Sequence, residues 1–161
     1  MRFYGFGNYY LSSIQQGIQA FHVGTDISVK YGDLTDQKSI YDTWALNYKT
    51  VILCNGGNAD SLKGLDSLFS LLEMDGMDLP YSKFNEDEQS LNGALTSVGI
   101  VLRTHHYEFV EDFSPNKTLE DFAVFIKIKD WETYTQVGKE FGYADWELKL
   151  MFEISQYPLA K

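Results

Sequence analysis

Residues 12–26, SSIQQGIQAFHVGTD, place Gln15, Gln19, His22 and Asp26 at spacings of four, three and four. On a helix these spacings bring all four side chains to one face. Two amides in line with an imidazole could grip a polar substrate, the histidine serving as acid, base or donor. The same pattern describes a solvated helix face, and spacing alone does not separate the two readings.

Other stretches offer chemistry of their own. NGGNADSL (55–62) resembles a turn whose backbone N–H groups hold an anion, but it matches neither a P-loop nor a G-x-G-x-x-G fingerprint, and Asn58 or Asp60 as a helix cap explains it as well. Glu86, Asp87 and Glu88 could hold a hard cation or supply a general base, or could simply be solvated. His105 and His106, with Glu108 and Glu111, have zinc-ligand chemistry. Adjacent histidines on a strand point to opposite faces, so no metal is expected there. The lipase-type G-x-S-x-G motif and a cysteine-protease set are both absent from the sequence. Cys54, the one cysteine, excludes an internal disulfide and a multi-cysteine zinc site, and within TVILC it reads as a buried thiol.

These residues need elements to position them. MRFYGF (1–6) reads as a first strand. Ser12 and Ser13 each have a glutamine three residues on, the capping-box pattern of a helix start. Along that helix Ile14, Ile18, Phe21 and Thr25 form the expected core stripe. Gly17, Ala20, Gly24 and Ser28 form a small-residue stripe that suggests close approach of another backbone. KTVILC (49–54) reads as an interior strand covered on both faces. Leu62, Leu65, Leu68, Phe69 and Leu72 mark a helix ending near Gly76. PYSKF then leads through the acidic loop 85–93 to a buried strand, ALTSVGIVL (94–102). The alternation predicts an α/β fold, a mixed sheet with helices on its faces. Residues 119–131 fit helix or strand, and 143–157 form a helix with Trp146, Leu150, Ile154 and Tyr157 on one side. The organisation expected is a core over 1–102 with an elaboration over 103–161 packed on the same domain, the nearest thing to a linker being 113–118.

The whole chain bounds the function. Its 161 residues suit one domain, and 44% hydrophobic with 16% aromatic residues suffices for a real core. The net charge is −10, with acid in excess in both the core and the elaboration. No Lys/Arg run exists to track phosphates, so nucleic acid would have to meet a patch made by folding. No stretch approaches the ~18 apolar residues of a membrane span or the core of a signal peptide, and a cytoplasmic location without membrane contact is expected.

The order of these pieces resembles the peptidyl-tRNA hydrolase II family over residues 1–102. IQAFHV supplies Gln19 and His22 at the spacing of that family's A-Q-x-x-H-A-like motif. Trp44 precedes the KTVIL strand, and LPYSKF with NEDEQSLNGALTSVGIV matches the short strand, acidic loop and threonine that follow. Where family members carry a catalytic lysine near the start of the first helix, this chain has Ser13 and Gln15. The resemblance implies hydrolysis or binding of the ester at a tRNA 3′ end. His22 or Glu88 would be the base, Thr96 would join them in catalysis, and Gln15, Gln19 and Asn92 would hold substrate. No cofactor and no metal are implied. The alternative, from the charge, is a catalytically inert acidic module that binds a basic protein partner; a homodimer is compatible with either.

Overall fold

The computed structural model describes residues 1–113, 131–140 and 142–160. Four strands, β1 (Arg2–Gly7), β2 (Val51–Asn55), β3 (Tyr81–Asn85) and β4 (Leu95–Leu102), form one sheet in the order β2-β1-β4-β3. β1 runs parallel to β2 and antiparallel to β4, which pairs antiparallel with β3. The helices are α1 (Ser13–Lys30), α2 (Asp36–Thr43), α3 (Ala59–Met74), α4 (Glu88–Leu91), α5 (Thr104–Phe113), α6 (Trp131–Glu140) and α7 (Asp145–Ser155). A π-helical turn, Trp44–Tyr48, continues α2. The fold is therefore α/β with a mixed sheet. No helix among the described residues is long and apolar enough to cross a membrane. Apart from Phe113 and Trp131, the expected linker at 113–118 and element at 119–131 lie outside the described residues.

Side chains alternate across a strand, so β1 serves two layers. Tyr4 and Phe6 face α3 and α7, with the Phe6 ring 6.4 Å from Phe69 and 5.1 Å from Tyr157. Phe3 and Gly5 face α1. Gly5 pairs directly with Gly99 of β4, which leaves a depression in the middle of the sheet. A Cβ built on Gly5 would lie 2.9 Å from the Cβ of Ala20, and one on Gly99 would lie 2.5 Å from the Phe3 ring and 3.0 Å from Val23. α1 settles into that depression.

This seating reverses the expected faces of α1. The side chains turned to the sheet are Gln16, Ala20, Val23 and Ile27, whereas Ile14, Ile18, Phe21 and Thr25, the expected core stripe, point to solvent. Phe21 is 72% exposed and Ile14 77%. The close approach comes from Gly5 and Gly99 of the sheet. A Cβ on Gly17 or Gly24 of the helix would meet nothing within 4 Å.

β2 is likewise not interior but stands at the edge of the four-stranded sheet, paired along its length with β1, and Val51 is 46% exposed. Its unbroken apolar run has another cause. Val51 and Leu53 line a cleft beside α1, while Cys54 is buried and meets the strap 158–160. That strap runs antiparallel to β2, with Asn55 N–H donating to Pro158 O (2.8 Å) and Ala160 N–H donating to Leu53 O (2.9 Å).

Residues 104–113 form α5, so His105 and His106 are not on a strand with opposed side chains. Their rings lie 4.0 Å apart, and both turn toward Glu147 of α7. Oε1 of Glu147 is 2.8 Å from Nε2 of His106 and 3.4 Å from Nε2 of His105, while its Oε2 accepts from the Ala144 N–H at 2.7 Å and so caps α7. Hydrogen bonding, first from His106, holds the Glu147 carboxyl down at about 2. Burial pushes His106 below its ordinary 6.5. Both shifts describe a neutral His106 donating to an ionised Glu147. Glu108 is exposed and takes no part in this junction, and the Glu111 side chain is outside the described ones.

Two outcomes are expected. Val98, fully buried in β4, cannot take a charge, so Val98→Asp should abolish cooperative unfolding; Val51→Asp, at the edge, should cost less than about 1 kcal/mol in denaturant titration. For pH, the unfolded chain protonates its histidine near 6.5 while the folded one resists, and stability present above 6.5 is lost as pH falls below it. A second loss follows as pH drops from 4.5 toward about 2, where Glu147 takes its proton in the folded state. Thermal melts in chelator from pH 8 to 3 check this. A midpoint that stays flat from pH 7 to 5 would contradict the buried neutral histidine.

Candidate functional site

The capping box at the head of α1 sets the phase of its side chains. Ser12 Oγ accepts from the Gln15 N–H at 3.3 Å, and Gln15 Oε1 accepts from the Ser12 N–H at 3.0 Å. Gln15 is therefore a structural cap on an exposed turn. One turn on, Gln19 leans over the end of the sheet toward β3 and β4, where it meets an acid.

That acid is Glu86, not Glu88. The β3–β4 register shifts between Phe84 and Asn85, and the chain beyond is closed by Glu86 N–H donating to Ala94 O (2.9 Å) and Asn85 Nδ2 donating to Gly93 O (2.9 Å). The irregularity re-aims the side chain that follows it. Glu86 Oε1 accepts from Gln19 Nε2 at 2.5 Å, and the buried Thr96 hydroxyl lies 3.4 Å from the same oxygen. A carboxylate only accepts, which fixes Nε2 of Gln19 as the atom facing it. Oε1 of Gln19 is then buried without a donor among the described residues. Glu86 is partly buried and held by two side chains from separate elements.

The remaining sequence candidates fall outside this junction. His22 is exposed and stacks on Phe84, centroids 4.4 Å apart and planes 14° from parallel. Glu88 is exposed on α4, and Asn92 is exposed in the turn before β4 with φ of 54°. Gln16, which spacing left off the polar face, is buried instead. Its Nε2 donates to Leu11 O at 3.0 Å, and its side chain covers Gly7. Asn58 is the cap of α3, its Oδ1 accepting from the N–H groups of Asp60 (3.0 Å) and Ser61 (2.9 Å), so two of the N–H groups that an anion would use at this helix start are already engaged.

On the other flank of α1 lies a cleft of about 330 Å3, walled by Phe21, Tyr41, Trp44 and Val51 and floored by Phe3 beside Gly17. Trp44 is fixed by a hydrogen bond from Nε1 to Thr50 O (2.9 Å) and by its ring 5.5 Å from Phe3. Lys49 stands at the rim with φ of 57°. Its sequence signal was the small-residue stripe of α1, whose glycines face open space. The cations that could have gathered near Gln19 do not. Lys63 pairs with Asp60 (3.3 Å), and Lys83 pairs with Asp66 (2.6 Å) of α3, on the sheet face opposite α1.

No protein-family model matches the sequence, and no curated protein does.

Removing the carboxylate leaves the Gln19 amide without its acceptor and the Thr96 hydroxyl beside an emptied position. Glu86→Ala should cost about 1–2 kcal/mol of stability in denaturant titration, while Glu88→Ala should stay within about 0.5 kcal/mol of the parent.

Proposed function

We propose that the Gln19–Glu86–Thr96 junction is a hydrolytic site of peptidyl-tRNA hydrolase type, acting on or binding the ester at a tRNA 3′ end. The observation that carries this reading is the single Glu86 oxygen shared by an amide from α1 and a hydroxyl from β4. Those are the two elements on which the family resemblance places Gln19 and Thr96.

In this reading Glu86 is the general base. It takes a proton from a water whose oxygen bonds to the ester carbonyl carbon, and the carbonyl electron pair moves onto its oxygen. When that pair returns, the bond to the ribose oxygen breaks, and the ribose oxygen leaves with the proton from Glu86. Gln19 orients the carboxylate through Nε2. Glu88, exposed on α4, has no part in this scheme.

A second reading rests on different observations. Among the described residues, Lys63 and Lys83 are tied to aspartates and do not gather beside Gln19 as a patch that would neutralise a tRNA backbone. Ile14, Ile18 and Phe21 form an exposed apolar row on a chain of net charge −10. Those features support an inert acidic module that binds a basic protein.

Purified protein assayed on N-blocked aminoacyl-tRNA separates the two. The hydrolase reading expects turnover that falls ~100-fold in Glu86→Gln and is unchanged in Glu88→Ala, with tRNA affinity dropping steeply as salt rises. Turnover indifferent to Glu86→Gln would remove the site. Neither turnover nor tRNA binding at low salt would move the function to the acidic module.

A further inference from the structure

His105, His106 and Glu147 form, among the described residues, a cluster whose donor atoms all lie within 4.8 Å of one another. We propose that it is a divalent-metal site of the zinc class, formed by Nε2 of His105, Nε2 of His106 and Oε1 of Glu147. Two imidazoles and one carboxylate are a ligand set that zinc accepts, and three protein ligands leave a fourth position for water or another small ligand.

The geometry is close to what the ion needs. Zinc holds N and O ligands at about 2.0–2.2 Å, so neighbouring tetrahedral donors stand ~3.3 Å apart. Here Glu147 Oε1 is 3.4 Å from one ring nitrogen and 2.8 Å from the other. Separating the closer pair by about half an ångström, with the two ring nitrogens, which lie within 4.8 Å of each other, brought to the same spacing, opens the site. The ion takes the place of the proton now held between Nε2 of His106 and Oε1.

The surroundings favour this. His106 is wholly buried between α5 and α7 and Glu147 is partly buried, so two ligands are already ordered, while half-exposed His105 leaves a route in from solvent. Oε2 of Glu147 is fixed by the Ala144 N–H, which keeps Oε1 turned to the rings. Arg103, the neighbouring cation, is forked onto Asp78 by two hydrogen bonds. The site lies on the face of the sheet away from Gln19 and Glu86, so it is independent of the hydrolytic reading. Other soft donors are few. The third histidine, His22, is stacked on Phe84, and Cys54 is buried, its thiol pushed up to about 12 by burial.

The test is isothermal titration of the chelator-stripped full chain with Zn2+, and with Co2+ followed by visible absorption. The expected result is about one equivalent bound, a Co2+ spectrum of tetrahedral type and a raised melting temperature. His105→Ala, at an exposed position, should keep its circular dichroism and bind ~10-fold or more weakly, while His22→Ala should bind like the parent. No saturable binding by the parent, or equal binding by His105→Ala, would overturn the proposal.

Discussion

Ala20 of α1 occupies the space that a side chain on Gly5 would fill, and Phe3 and Val23 do the same above Gly99. Because these two glycines are cross-strand partners at the centre of the sheet, the helix is lowered over one point, and a sideways shift would carry the Ala20 and Val23 side chains out of the depression. Everything on that face depends on this seating. It carries Gln19 within reach of Glu86 on one flank, and on the other it leaves Gly17 and Gly24 over open space bounded by Trp44 and Val51. Lifting α1 by the depth of one methyl group would part the Gln19–Glu86 hydrogen bond and widen the cleft together.

On the other face a single carboxylate has a comparable role. Glu147 caps its own helix with one oxygen and receives two rings of α5 with the other. A buried neutral imidazole against a carboxylate avoids the desolvation cost of a buried ion pair and still satisfies the ring nitrogen that faces it. α5 and α7 are therefore joined by polar contacts at a point where hydrophobic packing alone would leave their relative rotation loosely set.

What the sequence revealed depended on range. The capping box at Ser12 and Gln15, the cap at Asn58 and the buried run of β4 are local signals, and the structure contains all three. Periodicity along α1 resolved its stripes but could not say which one faces inward. That depends on Gly5 and Gly99, which belong to strands far away in the chain. Apolar continuity in VILC is the same for a strand buried in the middle of a sheet as for an edge strand that lines a cleft and lies under a strap. In the site, Gln19 is nameable from helical spacing, and Thr96 only from the family resemblance. Glu86 was passed over for Glu88 because the register shift at Phe84 and Asn85, which decides which acid turns inward, leaves no mark in composition. His105 and His106 were set aside on a strand geometry that a helix replaces. α2 and the π-helical turn gave no clear apolar period at all.

The strap over β2 has a consequence for how such molecules meet one another. An open strand edge is a row of unpaired donors and acceptors, and a second chain can extend the sheet there. Residues 158–160 already occupy the Leu53–Asn55 half of that row. Fibre-like growth by strand addition is therefore blocked along this half of the margin, which confines it to the short stretch of Val51 and Ile52, whose β-branched apolar character favours such growth.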